Sequence, residues 1–171
     1  MIEKFSFELQ LGKIRKKMIF VKAEGEKREH VVLKVLAYML FFEPELKVEV
    51  DIGMHYKPDL VVMAPGEHVP SVWIDCGQVT ILKVQSLARK LKHSRIIFMK
   101  QTQRELQQFK KLIERKVEDE SRIECIAFDE GFVPEVAQSL ERTNQAVIYP
   151  VMEGVIGLAL NQLVFETHIH R

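Results

Sequence analysis

The residues from Tyr56 to Lys100 decide the fold, and they read YKPDLVVMA (56–64), PGEHVP (65–70), SVWIDCG (71–77), QVTILKVQSLARKLKHS (78–94) and RIIFMK (95–100). Two short apolar runs flank a loop rich in proline and glycine. This pattern predicts an antiparallel hairpin whose strands are covered on both faces. Behind the hairpin, Thr80 is suited to cap a helix that continues to about Lys92. The apolar run after it, from Arg95 to Met99, predicts a further strand.

Each strand of this hairpin carries one acid in its apolar run, Asp59 in the first and Asp75 in the second. If Met63 lies opposite Ser71, the same register places Asp59 directly across from Asp75, with Cβ atoms about 5 Å apart. Two like charges in half-buried strands destabilise a sheet unless one binds a proton or a cation lies between them. The pair therefore predicts a functional site. The structural alternative is two acids at a strand end, in solvent and hydrogen-bonded to loops.

Length and composition restrict the class of protein. The 171 residues, 47% of them hydrophobic, predict a single domain over 1–171. A formal net charge of +1 lacks the basic excess that a dedicated duplex-binding protein usually shows. Cys76 and Cys125 lie in apolar strand patterns, which predicts reduced, packed thiols and a cytoplasmic protein. No run has the length and apolarity of a signal peptide or a spanning helix, so we expect no membrane association.

Alternating and helical patterns outside the central stretch complete the element order. They predict strands at 2–11 and 16–23, a helix at 28–42, a strand at 46–51, a helix at 102–118, a strand at 123–128, a short helix at 134–141 and a three-strand meander from 145. Helices that alternate with apolar strands are typical of an α/β fold. We predict a three-layer sandwich with a central mixed β-sheet, extended by an N-terminal β-hairpin and a C-terminal β-meander.

A divalent cation between the two acids would give them a chemical purpose. Magnesium binds a few protein oxygens and keeps several waters, so two carboxylates on neighbouring strands can hold it. The ion would cancel the repulsion, activate a water and neutralise charge that develops on a phosphate. Glu29, in the first turn of the helix at 28–42, is either a third acid of this site or a residue that stabilises the helix dipole.

Cleavage of a phosphodiester is also helped by an amine that orients the attacking water or neutralises charge. Lys83 falls in the first turn after the Asp75 strand, and Lys90 lies on the same stripe of that helix, about 10 Å farther along its axis. Lys57 is a rival because the predicted register sets it opposite Gly77. A solvated surface lysine is the structural alternative for each of the three.

Three weaker signals do not predict a site. KIRKK (13–17) could contact phosphate, but a charged strand edge that prevents sheet-to-sheet association is the favoured interpretation. His168 and His170 share one face of the last strand and could bind a transition metal. The sequence offers them no evident third ligand, so we expect no metal there. Residues 129–131, Asp-Glu-Gly, predict a turn that leads into a helix.

Four segments of the chain, taken in order, resemble a known family. They are EHVVLKVLAYML (29–40), KPD (57–59), WIDCG (73–77) and QAVIYPVMEGVIGLALNQLVFETHI (145–169). Over nearly its whole length the chain resembles the YaeQ family of bacterial proteins, within the PD-(D/E)XK nuclease-like superfamily. The resemblance implies a restriction-endonuclease-like core in which Asp59 and Asp75 match the metal-binding acids and Glu29 matches the accompanying helix acid. It also implies that the backbone carbonyl of Cys76 is a further metal ligand.

One position departs from the superfamily pattern, which has a lysine two residues after the second acid. That position is Gly77 here. Similar families carry the amine on the following helix, where Lys83 lies, whereas a lost lysine is equally compatible with a protein that keeps only the fold.

We therefore predict a metal-dependent phosphodiesterase that acts on DNA or RNA. Asp59 and Asp75 would hold Mg²⁺ or Mn²⁺ and Lys83 would assist. The basic residues expected to contact phosphates are Arg89, Lys90, Lys92 and Arg95. Two alternatives stay open: a catalytically inactive protein of the same fold that binds nucleic acid or a protein partner, and a fold with no ligand in this cleft. The oligomeric state is open as well.

Overall fold

Ten strands and four α-helices follow one another in a computed structural model that describes residues 1–171. The strands are β1 (Glu3–Leu11), β2 (Ile14–Lys22), β3 (Lys47–Val48), β4 (Leu60–Met63), β5 (Pro70–Cys76), β6 (Arg95–Thr102), β7 (Ile123–Phe128), β8 (Thr143–Met152), β9 (Val155–Leu160) and β10 (Leu163–His168). The helices are α1 (Arg28–Leu40), α2 (Ile81–Lys90), α3 (Gln103–Lys116) and α4 (Phe132–Gln138). None of these helices is both long enough and apolar enough to cross a membrane.

The strands form two mixed sheets of five strands each. Sheet A has the order β10-β9-β8-β1-β2, and sheet B has the order β3-β4-β5-β6-β7. The larger hydrophobic core contains residues of both sheets together with α1 and α4, so these two helices lie between the sheets. A second core forms where α2 and α3 cover the other face of sheet B. The α/β class is therefore confirmed.

The number of layers differs from the prediction of a three-layer sandwich around one sheet. The N-terminal hairpin and the C-terminal meander are not separate additions, because β1 pairs in parallel with β8, from Ser6 opposite Thr143 to Gln10 opposite Val147. Together they make sheet A, which covers a face of α1 that a three-layer arrangement would leave in solvent. The molecule consequently has four layers, in the order sheet A, α1 with α4, sheet B, and α2 with α3.

Helix α1 is buried on all sides. Every residue from Val31 to Tyr38 is buried, including Lys34. A helix that is apolar all round belongs inside a protein. Sheet A and sheet B pack on opposite sides of α1, so its central residues have no face in solvent.

The register of the central hairpin agrees with the prediction on the side of the acids and differs near the loop. Leu60 lies opposite Ile74, which is the register that sets residue 59 across from residue 75. Met63 pairs with Pro70 and not with Ser71, because a β-bulge interrupts the ladder between Val62 and Met63. The hydroxyl of Ser71 donates to the carbonyl of Val62 at 3.2 Å, so a carbonyl at this irregularity keeps a partner.

Two predicted boundaries need correction. The strand expected at 46–51 is reduced to the two residues of β3, because Glu49 adopts a φ of 56°, outside the extended region. The last helix, expected at 134–141, begins earlier, since Gly131 at a φ of 84° turns the chain directly into α4.

Candidate functional site

Asp59 and Asp75 lie side by side at the open end of the central hairpin, opposite its loop. Asp59 directly precedes β4, and Asp75 is the penultimate residue of β5. The backbone N–H of Asp59 donates to Asp75 Oδ1 at 3.4 Å, and Asp59 Oδ2 accepts the backbone N–H of Cys76 at 2.7 Å. The hairpin register therefore brings both carboxylates to one place, as the spacing of the sequence predicts.

Asp75 is almost completely buried and is held by two donors. Its Oδ2 accepts the indole N–H of Trp73 at 3.0 Å and lies 2.7 Å from Lys83 Nζ. Burial raises the pKa of Asp75 above its ordinary value, Lys83 opposes this, and the charge of Asp59 adds to it. The lysine thus offsets the carboxylate in a site that is largely closed to water.

Asp59 is held by His30, a residue that the sequence analysis did not single out. His30 Nε2 lies 3.2 Å from Asp59 Oδ2, and its Nδ1 lies 3.2 Å from Glu26 Oε1. Each ring nitrogen faces a carboxylate oxygen, and this arrangement favours the protonated imidazolium. Burial would lower the pKa of His30, but the hydrogen bond and charge of Asp59 raise it above 6.5. Burial would likewise raise the pKa of Asp59, and His30 with the Cys76 N–H lowers it.

Lys34 continues this network into the core. Its fully buried ammonium donates to the carbonyl of Val21 at 2.8 Å and to Glu49 Oε1 at 2.7 Å, and it lies 3.7 Å from Glu26 Oε2. Positive and negative groups therefore alternate from the core to the acid pair. The repulsion between Asp59 and Asp75, from which the sequence predicts a bound cation, is offset inside the protein by the surrounding cations.

The first turn of α2 brings Lys83 to the acids. Thr80 caps this helix, and its hydroxyl accepts the backbone N–H of Lys83 at 3.3 Å. The ammonium of Lys83 also lies 5.7 Å from the ring centroids of both Tyr56 and Trp73. Of the amines considered from the sequence, only Lys83 contacts an acid of the pair. Lys57 contributes its backbone carbonyl at 3.5 Å from Lys83 Nζ, and Lys90 is exposed in the last turn of α2.

Glu29 is half-buried in the first turn of α1 and forms no hydrogen bond or ion pair. The next residue, His30, is the one that α1 directs to the acid pair. A signal for His30 exists in the sequence, since His30 and Lys34 lie four residues apart on a mostly apolar helix and Glu26 precedes them at the same spacing.

Lys100 is a second residue that the sequence analysis missed. It is 6% exposed, its Nζ donates to the carbonyl of Gly77 at 2.6 Å, and it lies 4.3 Å from the ring centroid of Phe109. Burial lowers its pKa, while the charges of neighbouring acids act in the opposite direction. It lies at the end of the apolar run of β6 and not on a helix surface, where amines are usually expected.

The donor atoms near the acid pair are suited to a hard cation, although they do not form a complete side-chain cage. No group of three His, Cys, Asp or Glu side chains converges to hold a metal ion. Asp59 Oδ1 accepts no hydrogen bond and is not sealed from solvent, and Asp75 Oδ1 accepts one at 3.4 Å. Magnesium is commonly bound by one or two carboxylates and retains water, so these oxygens with the carbonyl of Cys76 fit its chemistry.

The residues expected to contact nucleic acid lie along and beyond the last turn of α2. Arg89, Lys90 and Lys92 are exposed. Arg89 and Lys92 line a cleft of about 650 Å³ together with Lys116 and Arg122. Arg95 does not join them, because its guanidinium is paired with Glu124 on the neighbouring strand, with Nη2 at 2.8 Å from Oε1.

The weaker sequence signals have structural explanations. Four of the five KIRKK residues, 14–17, lie on β2, the outermost strand of sheet A, and form a charged edge. His168 and His170 do have a third residue beside them, Asp129, whose two oxygens lie 2.9 Å from His168 Nδ1 and 2.7 Å from His170 Nε2. The two rings clamp one carboxylate and do not leave a shared vacant position.

The two cysteines are free and buried. Burial raises the pKa of the Cys76 thiol well above its ordinary value and that of Cys125 to about 11. A thiolate is the nucleophilic form of cysteine, so neither residue is suited to nucleophilic chemistry.

Together the fold and the site define a class of α/β protein in which two mixed sheets enclose a buried helix. A hairpin of one sheet carries two neighbouring aspartates, one of which is paired with a lysine. The family model of the YaeQ protein matches residues 19–169. The chain therefore belongs to the YaeQ family.

Solved structures of this family share the fold. The chain is similar to the YaeQ protein from Xanthomonas axonopodis pv. citri, with a TM-score of 0.78 at 14% identity, over 98% of this chain and 95% of that one. It is also similar to the YaeQ protein from Pseudomonas syringae, with a TM-score of 0.73 at 15% identity, over 98% and 93% of the two chains. No curated protein matches the sequence significantly.

Proposed function

We propose that this protein is a metal-dependent phosphodiesterase that acts on nucleic acid. One observation carries the proposal: the hairpin register places Asp59 beside Asp75, and Lys83 Nζ lies 2.7 Å from Asp75. Two further points support it, an unpartnered carboxylate oxygen on Asp59 and the resemblance of β4, β5, α2 and β6 to the core of the PD-(D/E)XK superfamily.

Different residues of the site would have different roles in this reaction. Asp59, Asp75 and the carbonyl of Cys76 would hold Mg²⁺ or Mn²⁺, which when bound neutralises phosphate charge and lowers the pKa of a coordinated water. Lys83 orients Asp75 and adds positive charge next to the reacting phosphate. His30 and the backbone N–H of Cys76 both hold Oδ2 of Asp59, which leaves Oδ1 without a hydrogen bond.

Arg89, Lys90 and Lys92 would bind the phosphates that flank the cleaved bond. They lie on or just beyond the helix that carries Lys83, about two turns from it. The cleft that Arg89 and Lys92 line also contains Lys116 and Arg122, against two acids, Glu118 and Asp119, so basic side chains outnumber acidic ones in a concave surface. Such a surface suits a nucleic-acid backbone.

The proposal is tested by incubating the protein with labelled single-stranded and double-stranded DNA and RNA in the presence of Mn²⁺, Mg²⁺ or EDTA. We expect cleavage that depends on Mn²⁺ or Mg²⁺ and falls by about a hundredfold or more in Asp75→Asn, since an electrostatic group of the site is lost. Asp51→Asn, which neutralises an exposed loop acid, is the matched control and should cleave like the wild type. Absence of cleavage on every substrate, or equal cleavage by Asp75→Asn, would refute the proposal.

A second function has one observation in its favour. The charges of the acid pair are offset by His30, Lys34 and Lys83, so the fold keeps both acids without a cation. A non-catalytic protein that binds nucleic acid or a protein partner through the same face would need no metal ion to keep both acids. Such a nucleic-acid binder keeps its affinity in Asp75→Asn. It loses affinity in Lys92→Met, with a salt slope smaller by about one.

A further inference from the structure

Lys100 is a buried ammonium with too few partners. It forms no ion pair, and the carbonyl of Gly77 is the only hydrogen-bond acceptor that it contacts. The ring face of Phe109 offers a second, weaker interaction. Since a buried charge without a counter-ion is costly, this arrangement needs an explanation beyond packing.

The ammonium lies on the same face of sheet B as Asp75. Side chains two residues apart in a strand share a face, so Asp75 shares its face with Trp73, which packs under α2 and α3. Phe98 lies beside Asp75 in the parallel register and belongs to the same core. Lys100 is two residues beyond Phe98, and its contact with Phe109 of α3 places it on that face too.

The space beside the Cα of Gly77, the residue whose carbonyl Lys100 contacts, is open. A Cβ atom added at Gly77 would meet no atom within 4 Å, and the φ of 80° at this residue disfavours any side chain. The carbonyl that Lys100 contacts belongs to this same residue. An anionic group that enters beside Gly77 would therefore meet an ammonium that forms no ion pair within the protein.

We propose that Lys100 binds a phosphate oxygen of the nucleic acid, next to the acid pair and separately from Lys83. Lys83 stays with Asp75 and serves as a positioning residue, whereas the Lys100 ammonium, which forms no ion pair within the protein, forms one with the substrate. This inference rests on the proposed function in one respect, the identity of the ligand as a phosphodiester.

The test measures affinity without cleavage. A short fluorescein-labelled single-stranded DNA, and an RNA of the same sequence, are titrated with the protein in EDTA and followed by fluorescence anisotropy. Lys100→Met should weaken binding of the preferred strand about tenfold, the effect of losing one charge-assisted hydrogen bond to a phosphate. Lys111→Met, the same change at an exposed lysine of α3, is the matched control and should bind like the wild type.

Thermal melts accompany the titration. A lysine that serves packing alone would destabilise the fold when replaced, whereas removal of an unpaired buried charge leaves the Tm unchanged or higher. If Lys100→Met does not fold, the wild type labelled with ¹³C-lysine is used. A shift of the Lys100 Cε resonance on addition of the oligonucleotide supports the inference, and an unmoved resonance overturns it.

The outcomes separate this inference from the proposed function. Wild-type affinity in a folded Lys100→Met variant overturns the role of Lys100, whether or not Mn²⁺ supports cleavage. Weakened binding by Lys100→Met together with a wild type that never cleaves keeps Lys100 as a phosphate-binding residue and refutes the phosphodiesterase. A wild type that binds neither DNA nor RNA overturns the inference.

Discussion

His30 lies between two carboxylates, and this position makes its protonation part of the stability of the acid pair. Its folded-state pKa is raised above 6.5. The stabilisation is therefore fully present below the unfolded pKa near 6.5 and is lost as the pH rises through the folded value. We expect the Tm of the wild type to fall over the pH range that begins near 6.5 and extends through this raised folded pKa.

The variant His30→Gln isolates this contribution. It keeps a hydrogen-bond donor to Asp59 but does not titrate, so the difference in Tm between wild type and variant should shrink as the pH rises. His93→Gln, at an exposed histidine, controls for titration elsewhere. A difference between wild type and His30→Gln that stays constant across this range would show that His30 is not an imidazolium between Glu26 and Asp59.

At the residue scale, the sequence allows the acid pair to be predicted because strand alternation and hairpin register are local rules. Asp59, Asp75 and Lys83 follow from such spacing, and the structure brings these three together. His30 and Lys34 could not be placed, because their contacts depend on the rotation of α1 between two sheets. That rotation is decided by packing that involves most of the chain.

Thr80 caps the first turn of α2, and the same turn carries Lys83, which contacts the acid pair. We expect Thr80→Ala to lower the free energy of unfolding by about 1 kcal/mol, as the loss of an N-cap does. It should also lower the affinity for nucleic acid or the rate of cleavage, because the first turn that carries Lys83 loosens. Chemical unfolding and the assay described above measure the two effects.

Thr102→Ala is the matched control at this scale. Thr102 caps α3 with the same geometry, its hydroxyl accepting the backbone N–H of Glu105 at 3.2 Å. It should cost a similar free energy of unfolding and leave the site intact. Equal functional losses in both variants would mean that Thr80 acts only through overall stability.

An aromatic ring on β8 packs over a glycine on the neighbouring strand β9. Tyr149 lies opposite Gly157, and a Cβ atom added at Gly157 would fall 2.3 Å from the Tyr149 ring. Gly157→Ala should therefore destabilise the protein by about 1–3 kcal/mol, the cost of forcing extra volume into a packed place. In the double variant with Tyr149→Ala the ring is gone, and denaturant unfolding should show a smaller loss than the sum of the two single changes. Strict additivity would contradict this packing.

The elements themselves were largely predictable, because hydrophobic period, caps and turn residues are local. The strand at 46–51 was not, since the left-handed conformation of Glu49 follows from contacts outside that segment. Its N–H donates to the carbonyl of Asp59 at 2.8 Å, and its carboxylate binds Lys34. The bulge near Ser71 is similar, because one extra residue in a strand leaves no mark in the pattern of apolar residues.

The two sheets are joined at the C-terminus by a clamp around Asp129. His170 exchanges both backbone hydrogen bonds with Ala127, at 3.0 and 2.9 Å, and the Asp129 carboxylate holds the rings of His168 and His170. Burial alone would raise the pKa of Asp129, but the backbone N–H and ring of His168, with His170, lower it to about 2. This stabilisation is present above the ordinary pKa of 3.8 and is lost as the pH falls to about 2.

We expect Asp129→Asn to lower the free energy of unfolding at pH 7 by about 1 kcal/mol, a modest figure because solvent screens this half-exposed carboxylate. Amide hydrogen exchange should become faster at Ala127 and His170, where the tail joins sheet B. Glu130→Gln, which neutralises the adjacent exposed acid, should change neither quantity. Unaltered exchange in Asp129→Asn would show that the clamp does not hold the tail.

At the scale of the whole molecule, the sequence predicts the α/β class but not the number of layers. The parallel pairing of β1 with β8 joins residues about 140 positions apart; Asn144 Nδ2, for instance, donates to the carbonyl of Ser6 at 3.3 Å. No local pattern encodes such a pairing. The only sign of this pairing in the sequence is the strongly apolar composition of α1. A strongly apolar surface helix would have a similar composition.

Anomalous scattering tests most directly our claim that Asp59 and Asp75 form a cation site. A crystal soaked in Mn²⁺ should show one anomalous peak within coordination distance of Asp59 Oδ1 and Asp75 Oδ1, and the same soak of Asp75→Asn should show none. A wild-type crystal without a peak at these oxygens, with Lys83 still seated on Asp75, would contradict the claim.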